Sequence, residues 1–173
     1  MGKISGKTVA VLVEEMYQEM EVWVPYYRIK EEGAKAYLLG GEKGKIYKSK
    51  LGYPAMAEAD YKTLKAEDVD AVVIPGGFAP DFMRRYPEPA KFISDVFKAG
   101  KPVAAICHGP WMLASAEVLK GRTATCFYAI ADDIRHAGAN YVDREVVVDG
   151  NLITSRKPED IPAFCAAIIK ALS

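Results

Sequence analysis

The residues with the most distinctive chemistry are Cys107 and His108, adjacent in an apolar run, residues 101–110, that stops abruptly at Gly109 and Pro110. Residues 103–106 read as a short buried strand, and Pro110 suits the first turn of a helix, so a helix begins directly after Gly109. Cys107 therefore falls on the turn between strand and helix. A chain that reverses sharply there presents the turn residue outward and requires small neighbours, which Ala105 and Gly109 supply. Small-x-nucleophile-x-small is the cysteine counterpart of a serine nucleophile elbow. Unpaired amides and the dipole at a helix N-terminus favour a thiolate over a thiol. Past the turn, the alternation that points neighbouring strand side chains apart no longer applies, so His108 is placed to exchange a proton with Cys107.

Addition of a thiolate to a carbonyl also needs donors for the developing oxyanion. Gly76 and Gly77 follow a second buried stretch, residues 70–75, and let the backbone approach a substrate closely. Their amides, with that of His108, form a candidate oxyanion hole. Glu21 stands at the start of a helix, where a carboxylate either complements the dipole or faces the site. Asp81 suits the cap of the turn that follows it. Glu14, Glu15 and Glu19 are expected to form a solvated acidic loop. No histidine joins them at metal-ligand spacing, so no metal is expected. The other cysteines, Cys126 on a strand and Cys165 on a core helix face, read as reduced and structural: three in all is an odd number, with no C-x-x-C pairing. His136 reads as a solvated cation ending a helix.

The elements that must position these residues alternate. Residues 7–14 are a buried strand, and residues 19–32 carry apolar side chains at helical spacing up to a stop at Gly33. Residues 34–40 return as a strand. Short β segments at 45–48 and 51–57 make a lysine-rich, peripheral region, and 60–67 is a connection. After the strand at 70–75 comes a helix at 90–99, then the elbow strand. A helix at 111–119 leads to a strand at 123–127 that rejoins the sheet, and a short helix spans 129–136. Asp149, Gly150 and Asn151 turn a hairpin between 145–148 and 152–154, and a last helix covers 158–172. Strands alternating with helices imply an α/β fold with a mainly parallel sheet covered on both faces and a hairpin extension. Ligands then bind outside the carboxyl ends of the strands, where the loops at 14–21, 75–81 and the elbow converge.

Composition bounds the function. A chain of 173 residues, half of them hydrophobic, buries a full core as one domain, residues 1–173. Lysine plus arginine equals aspartate plus glutamate at 23 each, so no overall field draws the protein to nucleic acid or a membrane surface. The basic segment at 43–50 is too sparse in aromatics to argue for nucleic acid. With no long apolar segment at the start and no run long enough to span a bilayer, a cytoplasmic protein is expected.

An ordered set of segments resembles the PfpI-type intracellular protease family, within the class I glutamine amidotransferase-like superfamily that also holds the parkinsonism-associated deglycase group. The anchors are Gln18 to Glu21, Pro25 to Arg28 with Glu31 to Gly33, Val73 to Gly77 with Ala79 to Asp81, Ala104 to Pro110, Asp132 with Asp133, and Val146 to Asn151 with Thr154 to Arg156. The resemblance covers essentially the whole chain. It implies a flavodoxin-like three-layer sandwich, a cysteine hydrolase of peptidase or amidase type with Cys107 as nucleophile, and His108 oriented by Asp81 from a neighbouring subunit. It also implies a homo-oligomer, a dimer or a hexamer of dimers or trimers. Glu21 matches the family's first-loop glutamate, which can hydrogen bond the thiolate or shuttle a proton to a substrate carbon. Phe127 stands where deglycase relatives have histidine and protease relatives tyrosine, and the adjacent Tyr128, with Gln18, is a possible pocket residue. A peptide or a small aldehyde is the implied substrate, with no cofactor. The alternative activities are a glyoxalase or deglycase acting on methylglyoxal or glycated amines, and an oxidative-stress sensor in which Cys107 is oxidised beside Glu21.

Overall fold

In a computed structural model, which describes residues 2–173, the chain alternates through β1 (Thr8–Leu12), α1 (Glu19–Glu31), β2 (Lys35–Gly40), β3 (Ile46–Lys48), β4 (Pro54–Met56), β5 (Ala59–Asp60), β6 (Ala71–Ile74), α2 (Ala79–Met83) and α3 (Pro87–Lys98). It continues through β7 (Val103–Ile106), α4 (Pro110–Ser115), β8 (Thr123–Ala124), α5 (Ala131–His136), β9 (Asn140–Tyr141), β10 (Val146–Asp149), β11 (Leu152–Ser155) and α6 (Ile161–Leu172). The main sheet has seven strands in the order β10-β11-β7-β6-β1-β2-β5, parallel except for β10, which pairs antiparallel with β11. The strands β6, β7 and β11 are buried along their whole length, as parallel strands covered on both faces must be. α1 packs with α6, and α3 with α4, as two helical layers. This is the flavodoxin-like α/β sandwich the sequence implied.

The order of the strands places the site. From β1 the chain moves to β2 on one side, and β6 and β7 then fill the other side. The reversal between β1 and β6 is a topological switch point, where the loops leaving the two strands diverge and open a crevice. Because β1, β6 and β7 are neighbours in the sheet, the segments after Leu12, Ile74 and Ile106 emerge side by side.

Several local expectations are corrected. Residues 123–127 do not rejoin the main sheet: β8 pairs with β9 in a separate two-stranded sheet. Side chains take the amides there, the Thr123 N–H donating to Asp149 at 2.7 Å and the Thr125 N–H to the Thr154 hydroxyl at 2.9 Å. The helix after the elbow ends at Ser115 rather than 119, because Glu117 adopts a left-handed φ of 58°. Residues 60–67 are not only a connection, since Asp60 belongs to the edge strand β5. The 45–57 region is not merely peripheral: Tyr47, Ser49, Ala55 and Ala57 are buried, and Ser49 bridges Tyr17. Nor is Glu14 solvated. It is buried, one carboxylate oxygen accepting the Tyr86 hydroxyl and the other the Glu15 N–H at 3.0 Å. Among the described residues no helix is long and apolar enough to cross a membrane.

Candidate active site

The elbow is built by the end of β7. Cys107 sits at φ 63°, a left-handed conformation that costs a non-glycine residue free energy unless its surroundings hold it. The surroundings do so. The Cys107 N–H donates to the Ser155 carbonyl at 3.1 Å, the Cys107 carbonyl accepts the Phe127 N–H at 2.9 Å, and the Gly109 N–H returns to the Ile106 carbonyl at 2.8 Å. Gly109 is required by proximity, because a Cβ there would lie 2.6 Å from the Ile74 carbonyl oxygen.

Glu21 enters from α1. Gln18 caps that helix, its side-chain oxygen accepting the Glu21 N–H at 2.9 Å, so Gln18 acts as a cap. Pro25, four residues on, offers no N–H to the Glu21 carbonyl, so the turn that presents Glu21 lacks one helix bond. The Glu21 carboxyl is fully buried; Oε2 accepts the Gly76 N–H at 2.7 Å, while Oε1 has no hydrogen-bond partner. Gly76 packs against both the carboxyl and the elbow with nothing to spare. A Cβ on it would lie 2.7 Å from Glu21 Oε2, 2.8 Å from Cys107 Cβ and 2.8 Å from the His108 nitrogen. Gly77, at φ 72°, is pinned by an antiparallel bridge to Tyr17, and a Cβ there would strike the Met16 carbonyl oxygen at 2.5 Å.

His108 Nδ1 lies 3.3 Å from Cys107 Sγ. Its ring stacks on Phe127, centroids 5.1 Å apart at 29°, and meets the edge of Trp111 at 5.2 Å. Two aromatic walls thus fix the imidazole. Trp111 is held in turn by donating its indole N–H to Asp133 at 3.0 Å.

Burial dominates the electrostatics. It raises the Glu21 carboxyl to about 7, against the opposing pull of the Gly76 amide and the Cys107 thiol. It also raises the Cys107 thiol above its ordinary value, and the neighbouring Glu21 charge adds to that, while the amides of His108 and Gly77 pull it down. The helix-terminus argument alone pointed downward for the thiol; desolvation and the carboxylate outweigh the two amides. One dry pocket does not hold two adjacent anions, so thiolate formation at Cys107 goes with a proton on Glu21. Burial lowers the His108 pKa, favouring the neutral imidazole that accepts a proton.

The structure brings Cys107, His108, Glu21, Gly76 and Gly77 together. The Gly76 amide is committed to Glu21, which leaves Gly77 and His108 as the amides directed at the thiol. Asp81 is about half exposed on α2 and ion-paired with Arg85 at 2.5 Å, not with His108 of the same protomer. Tyr128 is largely exposed, its ring resting on Phe127 at 4.5 Å. Cys126 and Cys165 are buried free thiols, pushed up to about 12 and about 11 by desolvation. Among the described residues, no group of three or more histidine, cysteine or carboxylate side chains is arranged to hold a metal ion. Sequence reasoning missed Trp111 as a wall of the site; its position three residues beyond His108 at a helix start was the available signal.

A left-handed cysteine after the third of three adjacent parallel strands, next to histidine and against a buried glutamate, is a family-level constellation, and residues 7–171 match the model of the DJ-1/PfpI family. The chain belongs to the DJ-1/PfpI family. Among its relatives, Deglycase PfpI of Pyrococcus furiosus is 42% identical over 156 residues, covering 90% of this chain and 93% of that protein. General stress protein 18 of Bacillus subtilis is 41% identical over 161 residues, covering 92% and 94%. A solved two-domain protein of Anabaena variabilis, with DJ-1/ThiJ/PfpI-like and ferritin-like domains, superposes with a TM-score of 0.94 at 43% identity. It is covered over 96% of this chain and 48% of its own, so this chain spans about half its length. Family membership accounts for the ordered anchors along the sequence, and the geometry accounts for why the anchors around Glu21, Gly76 and Cys107 had to be those residue types.

Proposed function

We propose that the chain is a cysteine-dependent enzyme that adds Cys107 to reactive aldehydes of the methylglyoxal type, a glyoxalase or deglycase, working with its own side chains and water. The observation that carries this reading is the buried Glu21 carboxyl, raised to about 7, packed beside Cys107 and Gly76. A peptidase has no step that needs such a group, whereas isomerising a thiol adduct needs a residue that takes a proton from one carbon and returns it to the next. The balance is complete. His108 Nδ1 accepts the Cys107 proton, Sγ bonds to the aldehyde carbon, and the oxygen, held by the Gly77 and His108 amides, takes the proton that Glu21 carries beside the thiolate, giving a hemithioacetal and a Glu21 carboxylate. The Glu21 carboxylate takes the proton from that carbon and delivers it to the adjacent carbonyl carbon, while the hydroxyl proton passes to the former carbonyl oxygen, leaving a thioester of a 2-hydroxy acid. Water cleaves the thioester, releasing the acid and restoring the thiol. When the aldehyde arrives as an adduct with an amine, attack by Sγ on the same carbon expels the amine, which leaves with the proton His108 took from the thiol. The name of the Pyrococcus relative supports this reading.

The test is turnover of methylglyoxal to lactate without glutathione, with Cys107→Ser as the blank. Turnover lost in both Cys107→Ser and Glu21→Gln is expected. Unchanged conversion in Glu21→Gln would exclude Glu21 as the proton carrier.

A second reading, peptide or amide hydrolysis, is favoured by the 3.3 Å contact between Cys107 Sγ and His108 Nδ1. It requires Asp81 of a second copy to leave Arg85 and orient His108, so its activity must follow oligomer formation. Peptide hydrolysis assayed beside methylglyoxal turnover separates the two readings.

A further inference from the structure

The rim of the site is made by three short segments lying side by side. Tyr17 bridges Ser49 on one side and Gly77 on the other, and the Lys50 N–H donates to the Tyr17 carbonyl at 3.0 Å. Lys50 is thereby held one residue from the strand-like bridge, two contacts away from the amide of Gly77. Its ammonium lies over the ring of Phe78 at 5.7 Å, and Phe78 directly follows Gly77. Phe78 and Met16 are exposed at this rim and put apolar surface beside the ammonium. Met16 is held there at φ 59°, its carbonyl accepting the Phe78 N–H at 2.9 Å, which makes the rim a constrained structure.

Among the described residues the Lys50 ammonium forms no ion pair, as is true of every lysine but Lys7 and Lys91; what sets it apart is its place beside the site. Glu19, on the same rim, accepts the Leu51 N–H at 2.8 Å and feels the Lys50 charge without forming an ion pair with it. The charge is felt inside the pocket. Lys50 is the cation whose field reaches both Glu21 and His108, lowering the pKa of each beneath the larger effect of burial. An unpaired cation at the mouth of a dry pocket acts on any charged molecule whose reactive carbon must reach Cys107.

We propose that Lys50 sets the charge preference of the site, favouring carbonyl substrates that carry an anionic group, a carboxylate or phosphate, a few bonds from the carbonyl that Cys107 attacks. This deepens the aldehyde reading and rests on it for the identity of the reaction, not for the selection of charge. Within 1,2-dicarbonyls, it ranks a carboxylated compound such as 4,5-dioxopentanoate above neutral methylglyoxal. The chemistry is unchanged: the thiol adds, the hydrogen moves between adjacent carbons, and water releases the corresponding 2-hydroxy acid.

Two measurements test it on wild type, Lys50→Met and Lys50→Arg. The first is alkylation of Cys107 by iodoacetate and by iodoacetamide, followed at that residue by mass spectrometry. In both reagents the thiolate displaces iodide from the same carbon, so the rate ratio reads charge alone, and any change in thiol or imidazole pKa cancels. The iodoacetate preference should fall about fivefold in Lys50→Met and persist in Lys50→Arg, and it should weaken with added salt. The second is the ratio of kcat/KM for 4,5-dioxopentanoate over methylglyoxal, which should fall by a similar factor, mainly through KM. An alkylation ratio unaltered in Lys50→Met overturns the proposal. If the alkylation ratio falls but wild type turns over neither dicarbonyl, the charge selection by Lys50 stands and the aldehyde reading fails.

Discussion

Glu21 and Gly76, 55 positions apart in the chain, are joined by a 2.7 Å hydrogen bond from the Gly76 amide to a carboxyl oxygen that is completely shielded from solvent. The bond crosses the switch point between β1 and β6, and it aims the carboxyl at the thiol of Cys107. The site's proton chemistry follows from this contact, because the same burial that orients Glu21 also keeps a proton on it near neutrality.

The first prediction concerns pH and stability. Burial raises Glu21 from its ordinary 4.5 to about 7, so the folded state binds this proton more tightly than the unfolded chain. The stabilisation is full below pH 4.5, declines from there to about 7, and is absent above. Wild type should lose about 3 kcal/mol relative to Glu21→Gln across that window. Denaturant melts of both proteins at about pH 4 and about pH 8 measure it, and parallel curves would contradict a neutral buried Glu21.

Gly76→Ala should be severely impaired. Its Cβ would meet Glu21 Oε2 at 2.7 Å and the His108 backbone nitrogen at 2.8 Å, so either the carboxyl or the elbow must move. Activity should fall by roughly 100-fold and stability by about 2 kcal/mol. Full methylglyoxal turnover in this variant would show that the spacing of Glu21 and Cys107 is not critical.

At position 107 the usual order of helix and strand propensities should reverse. Because φ there is 63°, glycine relieves strain that alanine retains. Cys107→Gly should be more stable than Cys107→Ala by about 1 kcal/mol, although both are inactive. Thermal melts of the pair decide the point; alanine the more stable would mean that the elbow is unstrained.

Asp81→Ala separates the two chemical readings. Its ion pair with Arg85 joins two side chains that are each about half exposed, worth less than about 1 kcal/mol, so the melting temperature should barely change. Methylglyoxal turnover should persist, and any peptide hydrolysis should be lost. Loss of aldehyde turnover instead would mean that Cys107, His108 and Glu21 do not suffice for the chemistry.

The features legible from the residues alone are local. The buried strands at β1, β6 and β7, the small neighbours of Cys107, the helix starting at Pro110 and the adjacent His108 are all legible, because strand burial, turn sterics and helix starts depend on residues within a few positions of one another. The Gly76-Gly77 turn was legible for the same reason, since glycine pairs after an apolar run mark backbone that must fold tightly or be approached closely. Folding alone fixes that the Gly76 amide serves Glu21 rather than an oxyanion, that Glu14 is buried under Tyr86, and that Lys50 stands at the rim beside Phe78. It also decides that β8 leaves the main sheet, because Asp149 and Thr154 take amides a neighbouring strand would have used. These outcomes share one cause. Desolvation and long-range hydrogen bonding depend on which strands become neighbours, and no window of sequence contains both partners of a contact across the sheet.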